Sequence, residues 1–459
     1  MRILHEVDGW VEGLDWDPTG ETLIYAAFEP VAKKNRLHLL SLSNYDTELL
    51  AAARPDNAGD YQPRFSPDGR QVAWKGRAPG GGTGLYVADR QGGAVKTVVE
   101  GLVPIQGLAW SPDGSSLIYA AAPAGRFNLW QVDLARGETH WVPTPGDFAW
   151  NPTVALRSGD LAYEQVRMDQ DLWRIRIRER EPWELETDRF LASTRWEYEA
   201  DFHPDGQSIV FVSARSGQPE LWRCDAQGEN LQQLTFLGPA GIGNPRWSPQ
   251  GDRIAFNLIQ DGKTAIMIVQ GQGSDPVPVD FGAGKVSFSS WSGDGQALLV
   301  GADRGQGWNI HRLDLADGQT RSLTRDGGLT AMESPSGEFL YYTRPDRPGL
   351  WRRSLQNDGG AEDPQRVVAD LNHLDRNHWR IIMTDGGRSD LYWVERNAGG
   401  AFLLWRDLAT EQTSFVTELP GLAGSSLAIS PAGDAVLYPR TGSAAGDLMI
   451  LEHFFPSGK

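Results

Sequence analysis

The phrase WSPDG at Trp110–Gly114 runs almost directly into the apolar stretch LIYAAA at Leu117–Ala122. The same pairing recurs along the chain: WDPTG at Trp16–Gly20, FSPDG at Phe65–Gly69, FHPDG at Phe202–Gly206, WSPQG at Trp247–Gly251 and WSGDG at Trp291–Gly295. ESPSG at Glu333–Gly337 and ISPAG at Ile429–Gly433 continue it, and ALRSG at Ala155–Gly159 and MTDGG at Met383–Gly387 fill the remaining gaps in phase. These ten copies recur at roughly 42–50 residues, a period that signals a solenoid or a propeller. Within the phrase, proline interrupts the ladder, serine or aspartate bonds to nearby backbone, and glycine supplies a positive φ. The motif is therefore a hairpin turn, and its aspartates are structural.

The rest of the unit selects the propeller. Strand-like runs follow the turns at Ser208–Ser213, Arg253–Asn257 and Phe339–Thr343. A third run carries a Leu-Trp pair, at Leu129-Trp130, Leu172-Trp173, Leu221-Trp222, Leu350-Trp351 and Leu404-Trp405, and a fourth follows, as at Gln232–Phe236 and Gln365–Val368. Four short strands per repeat without a helical segment describe a propeller blade. Composition agrees, since 53 glycines, 28 prolines and 18 tryptophans in 459 residues suit short strands joined by tight turns. Tryptophans recurring at the blade period, such as Trp16, Trp110, Trp247 and Trp291, are expected to pack between neighbouring blades.

The expected fold is thus an all-β propeller of about ten four-stranded blades, forming one domain over residues 1–459. The last repeat lacks a fourth strand, and Arg2–Val7 reads as a lone one, so the N-terminal strand is expected to complete the last blade and close a single ring. Closure removes exposed sheet edges. Two smaller rings, one inserted in the other, are the alternative.

Several functions are disfavoured. A net charge of −17 opposes binding to a phosphate backbone, and Arg174–Arg180 is broken by isoleucine and Glu179. Cys224 is the sole cysteine, which excludes an internal disulfide or a cysteine-based zinc cluster and reads as a small buried side chain. No apolar run reaches the ~20 residues of a membrane helix, and Met1–Val7 lacks a signal peptide's apolar core, so a soluble chain without an export signal is expected. No G-x-S-x-G elbow or H-E-x-x-H is present. His373 and His378 flank Asp375, a spacing read as a loop before a metal site. His203 occupies a motif position usually held by serine and is assigned to the turn. No catalytic residue, cofactor or metal is expected.

Candidate binding residues are those just before the motif, where the innermost strand approaches the channel: Tyr61, Arg64, Asn151, Arg195, Trp196, Glu197, Asn244 and Arg246. Arg64 and Arg246 both follow proline, in QPRF and NPRW. An arginine there can clamp a carboxylate or a peptide terminus through two hydrogen bonds, or brace neighbouring blades. Arg195-Trp196-Glu197 combines charge with an aromatic expected to be exposed.

The SPDG turns and Leu-Trp strands resemble TolB-type propellers, and similar propellers occur in the dipeptidyl-peptidase class and in tricorn-type proteases. The phrases at Phe190–Gly206, Leu221–Phe236, Gly243–Asn257, Thr324–Gly328 and Met332–Thr343 resemble the C-terminal propeller of CadC-like transcriptional regulators. That resemblance implies a periplasmic sensory module, although the winged helix and membrane helix of such regulators have no counterpart here. The expected function is a non-enzymatic, monomeric propeller binding a protein, peptide or small ligand, with no direct contact to nucleic acid and no membrane insertion. A TolB-like scaffold in a protein assembly is the alternative, and a hydrolase with a channel site is third.

Overall fold

The computed structural model describes residues 6–7, 10–29, 32, 34–50, 59–77, 83–101, 104–122, 127–144, 148–180, 182–193, 195–238, 240–260, 263–282, 284–356, 364–369, 371, 377–384, 387–397, 399–424 and 426–456. Among these residues all regular structure is β, in eight four-stranded antiparallel sheets and one five-stranded sheet. Each four-stranded sheet is formed by consecutive strands in chain order, such as Glu197–Phe202, Ser208–Ser213, Glu220–Asp225 and Gln232–Gln233.

The motif makes the turn between the first two strands of each sheet. In the copies beginning at Phe65, Trp110, Trp247, Trp291, Glu333 and Ile429, the serine hydroxyl accepts the N–H five residues on, as from Gln71 to Ser66 (2.9 Å), Ser116 to Ser111 (2.9 Å) and Ala297 to Ser292 (3.0 Å). The same hydroxyls donate to motif carboxylates, Ser66 to Asp68 at 2.6 Å and Ser111 to Asp113 at 2.7 Å. Those bonds hold both aspartates below the ordinary carboxylate range. Gly69 and Gly114 both sit at φ 70°, where a Cβ is disfavoured. At His203 the imidazole substitutes for serine: Nδ1 accepts the Asp205 N–H at 3.2 Å, and the ring meets Trp247 edge-on at 4.7 Å.

Ten motif copies yield nine sheets because two long strands each serve twice. Leu161–Arg180 pairs with Phe148–Val154, Trp183–Leu191 and Ala435–Leu451, and the last of these also pairs with Ala428–Ile429. Among the described residues, the strands that pair with the last repeat come from 161–191. Of Arg2–Val7, only Glu6 and Val7 lie within the described residues, and neither is in a strand. The physical reason is that Leu161–Arg180 contains no proline or glycine to stop it, so its edge continues to offer hydrogen bonds.

The chain divides into two compact units, 1–167 with 445–459, and 168–444. In the first unit, successive sheets meet face to face. Ile24, Ala26 and Leu39 meet Phe65, Val72 and Trp74; Leu85 and Val87 meet Leu108, Trp110 and Leu117; Ile118 and Leu129 meet Ala149, Leu161 and Tyr163. In the second unit the same arrangement runs through six sheets. Leu172 and Leu437 meet Ile209 and Phe211, Val210 and Val212 meet Ile254 and Phe256, and Ala255 meets Leu298 and Val300. Leu299 and Ile310 meet Leu340 and Tyr342, Tyr341 meets Trp379 and Leu391, and Tyr392 and Leu403 meet Ile175, Ile177 and Val436. Alternation along each strand supplies one apolar face to each neighbour.

Candidate functional site

The first strands of the sheets share an irregularity just before the motif. The register shifts between Val11 and Leu14, Tyr61 and Arg64, Trp150 and Thr153, Tyr198 and Asp201, Gly243 and Arg246, and Val286 and Ser289. Each shift is a bulge, and several place a residue at positive φ: Gln62 (50°), Asn151 (47°), Glu199 (49°) and Asn244 (54°). For Gln62 and Glu199 this backbone is strained, and such strain persists only where surrounding contacts impose it. Here the bulge side chains bond to the next sheet. Gln62 accepts the Gly107 N–H at 3.2 Å, Glu199 accepts the Asn244 N–H, and Asn244 Nδ2 donates to the Ser289 carbonyl at 2.8 Å.

In the second unit a contact between two sheets brings charged side chains together. Asn377 Nδ2 reaches Asn244 Oδ1 at 3.4 Å, joining first-strand neighbourhoods that are distant in sequence. Arg246 and Arg380 are buried beside them. Arg246 Nη1 donates to the Pro245 carbonyl at 2.6 Å, and Arg380 Nη1 donates to the carbonyls of Trp379 (2.7 Å) and Asn377 (3.1 Å). Burial lowers the pKa of both guanidiniums. At Arg380 the charge of Arg246 adds to this, while Asp201 and Glu199 oppose it. Burial pushes the Asp201 carboxyl up against the pull of both arginines and of the Trp247 N–H, which it accepts at 2.9 Å. Such a set can hold an anion or orient a polar group, and it contains no nucleophile–base pair.

The residues singled out from sequence fall in both units. In the first unit, Tyr61 is half-buried with the Lys75 ammonium 5.8 Å from its ring. Arg64 donates to the carbonyls of Pro63 (2.9 Å) and Leu14 (3.2 Å), and exposed Asn151 donates to Glu164 at 3.0 Å. In the second unit, Asn244 and Arg246 belong to the set just described, and Arg195 is exposed. Trp196 corrects its expectation: it lies just before the strand Glu197–Phe202 and is buried, edge-on to Tyr198 at 6.3 Å, so the ring packs inward where a loop aromatic was expected to face solvent. Glu197 is fully buried and accepts from Ser193 (2.7 Å), Ser213 (2.9 Å) and Arg215 (3.2 Å), which is bracing chemistry. Glu199, Asp201, Asn377 and Arg380 escaped the sequence reading. Asp201 stands one residue before its motif, as Arg64 and Arg246 do, so that position carried the signal. Arg380 precedes a degenerate copy and carried none. His373 and Asp375 lie outside the described residues, and among those described no three His, Cys, Asp or Glu side chains are grouped to hold a metal.

A second surface lies in the first unit, on the strand Val11–Trp16. Trp110, Trp247 and Trp291 are 4–8% exposed, with Trp110 and Trp291 each donating Nε1 to the carbonyl of an arginine in the preceding sheet, Arg64 (3.1 Å) and Arg246 (2.9 Å). Trp16, at the same repeat position, is 51% exposed, and Trp10, Val11 and Leu14 beside it are exposed too. Four large apolar side chains are thus exposed within seven residues of one strand and its approach, a density that scattered surface residues do not produce.

No family model matches the chain. It is 24% identical over 282 residues to an uncharacterised protein of Agrobacterium fabrum, covering 56% of this chain and 87% of that one. A Tol-Pal system protein TolB of Anaeromyxobacter dehalogenans is 30% identical over 135 residues, covering 29% of this chain and 28% of that protein. Over that stretch the repeats are similar to those of TolB proteins. Dipeptidyl-peptidase 5 of Porphyromonas gingivalis is 28% identical over 184 residues, covering 36% of this chain and 25% of the peptidase. The chain thus spans about a quarter of the length of these two named relatives. Among solved structures, one described as a TolB protein of Agrobacterium tumefaciens gives a TM-score of 0.47 at 19% identity, covering 60% of this chain and 99% of that one.

Proposed function

We propose that this chain is a non-enzymatic, TolB-like scaffold that binds a protein partner through the apolar surface of its first unit. The observation that carries this reading is Trp16. Its repeat position is a buried inter-sheet anchor at Trp110, Trp247 and Trp291, yet here it is half exposed among Trp10, Val11 and Leu14. A clustered aromatic and aliphatic surface of this kind favours protein association, with tryptophan as its anchor. TolB proteins among the relatives support the scaffold over a CadC-like sensory role, which gains nothing from them. The peptidase match leaves hydrolysis as a weaker reading. We further propose two separate propellers in place of one ten-bladed ring, the second with six blades. The division of the chain and the succession of six packed sheets in residues 168–444 support this arrangement.

The scaffold reading is tested with a photo-crosslinking amino acid at Val11 or Leu14 in the source organism, and at the exposed turn residue Asp317 as control. One dominant protein adduct at the first two positions, absent at Asp317 and lost with Trp16→Ser, is expected. Identical adducts at all three positions, or none, would sink the proposal.

A further inference from the structure

A guanidinium carries five N–H donors and no acceptor, so a buried arginine must find several oxygens. Arg246 and Arg380, 7% and 5% exposed, find too few. After the bonds to Pro245, Asn377 and Trp379, the Nη2 of Arg246 and the Nε and Nη2 of Arg380 meet no acceptor among the described residues. Nearby carboxylates do not fill the deficit. Asp201 gives an oxygen to the Trp247 N–H, and Glu199 gives one to the Asn244 N–H. At Arg380 the strongest neighbouring charge is the like charge of Arg246. Two like charges side by side, with unmatched donors in a poorly hydrated place, are the local signature of an anion site.

The chemistry narrows the anion. Two planar forks approaching from different strands match the two oxygens of a carboxylate, each fork taking one or both. A dianion such as phosphate would bring a second negative charge against Asp201 and Glu199, which a monoanion avoids. We infer that Arg246 and Arg380 form a binding site for a single carboxylate group in the second unit. Each guanidinium is tied through Nη1 alone, which leaves the rest of the fork able to turn toward the ligand. The carboxylate belongs either to a small free acid or to a peptide C-terminus. This inference is independent of the apolar surface on the first unit.

The test is calorimetric titration of the full chain at constant ionic strength with sodium acetate, and with a short peptide carrying a free or an amidated C-terminus. Chloride and phosphate serve as reference anions. Saturable binding of one carboxylate per chain is expected, at least tenfold tighter than chloride and weakened at least tenfold by Arg380→Met or Arg246→Met. Acetate binding without a peptide preference assigns the site to free acids, while binding of the free but not the amidated peptide assigns it to chain termini. Absence of saturable carboxylate binding in the wild type, equal binding of chloride, or variants that bind like wild type would each overturn the inference. Far-UV circular dichroism reports whether the variants fold, and if neither does, the wild-type titrations decide alone.

Discussion

Trp16 and Trp110 occupy the same repeat position in the same unit and differ in what covers them. That makes a controlled comparison. Trp110 is 4% exposed, lies against Leu85, Val87, Leu108 and Leu117, and donates Nε1 to the Arg64 carbonyl at 3.1 Å. Truncating a core tryptophan to alanine costs about 3–5 kcal/mol, and the lost hydrogen bond lies within that range. Trp16 keeps 51% of its surface in water. Burying a whole aromatic ring removes roughly 200 Å², so the half of Trp16 that is covered contributes at most about 2.5 kcal/mol at ~25 cal/mol per Å². Trp110→Ala is therefore expected to destabilise the first unit by about 2 kcal/mol more than Trp16→Ala. Because the two units need not unfold together, native-state hydrogen exchange resolved by peptide is the suitable assay. The strands Thr22–Glu29 and Ser116–Ala121 report on this unit. Equal losses for the two variants would mean that Trp16 is covered in solution, and the free apolar surface would have to be given up.

Three further outcomes follow from buried groups. Cys224, on Glu220–Asp225, has its thiol pushed up to about 12 by burial, so a thiol-reactive disulfide reagent at pH 8 is expected to leave the native protein unmodified and to modify one thiol in denaturant. Burial raises the Glu197 carboxyl, opposed by its bonds from Ser193, Ser213 and Arg215. The native state then holds that proton to higher pH than the unfolded chain, so this group stabilises the fold as pH falls and withdraws that stability as pH rises. Glu197→Gln removes the dependence. Urea unfolding at pH 7 and pH 5 should show wild type gaining on the variant at the lower pH, and a gain of the opposite sign would refute the assignment. At Gly301, on Ala297–Asp303, an added Cβ would overlap the Leu329 carbonyl, so Gly301→Ala should cost about 1–3 kcal/mol by forcing backbones apart. A thermal midpoint equal to wild type would contradict that close approach.

The turn and the four-stranded sheet were legible because local chemistry imposes them. Ser111, Asp113 and Gly114 satisfy the hairpin's own N–H groups and supply its φ, whatever lies elsewhere in the chain. The pairing of 161–180 with 435–451 was not legible, since it joins segments distant in sequence and no residue in either names its partner. A weaker signal was present in Leu161–Arg180, whose 20 residues include no glycine or proline. Trp196 was misplaced because its tripeptide suggests an exposed loop, while its burial depends on packing, as against Tyr198, that the tripeptide does not encode. The bulge itself is half visible. Glycine or asparagine at Gly107, Asn151 and Asn244 permits positive φ, whereas Gln62 and Glu199 adopt it against their preference.

Arg64 and Arg246 show where repeat chemistry ends and site chemistry begins. Both follow proline, both donate Nη1 to that proline's carbonyl, at 2.9 and 2.6 Å, and both offer their own carbonyl to the next sheet's tryptophan. The repeat thus accounts for the backbone and for one N–H of each guanidinium. What remains is set by neighbours the repeat does not specify. Arg64 reaches the Leu14 carbonyl at the partly exposed edge of the first unit. Arg246 is buried beside Arg380, which stands before a copy of the motif too degenerate to align, and across from Asp201, which replaces arginine at the same repeat position. The same Pro-Arg pair therefore yields a brace in one unit and an under-satisfied cation pair in the other. A substitution at Arg380 should accordingly alter the behaviour of Arg246 and leave that of Arg64 unchanged.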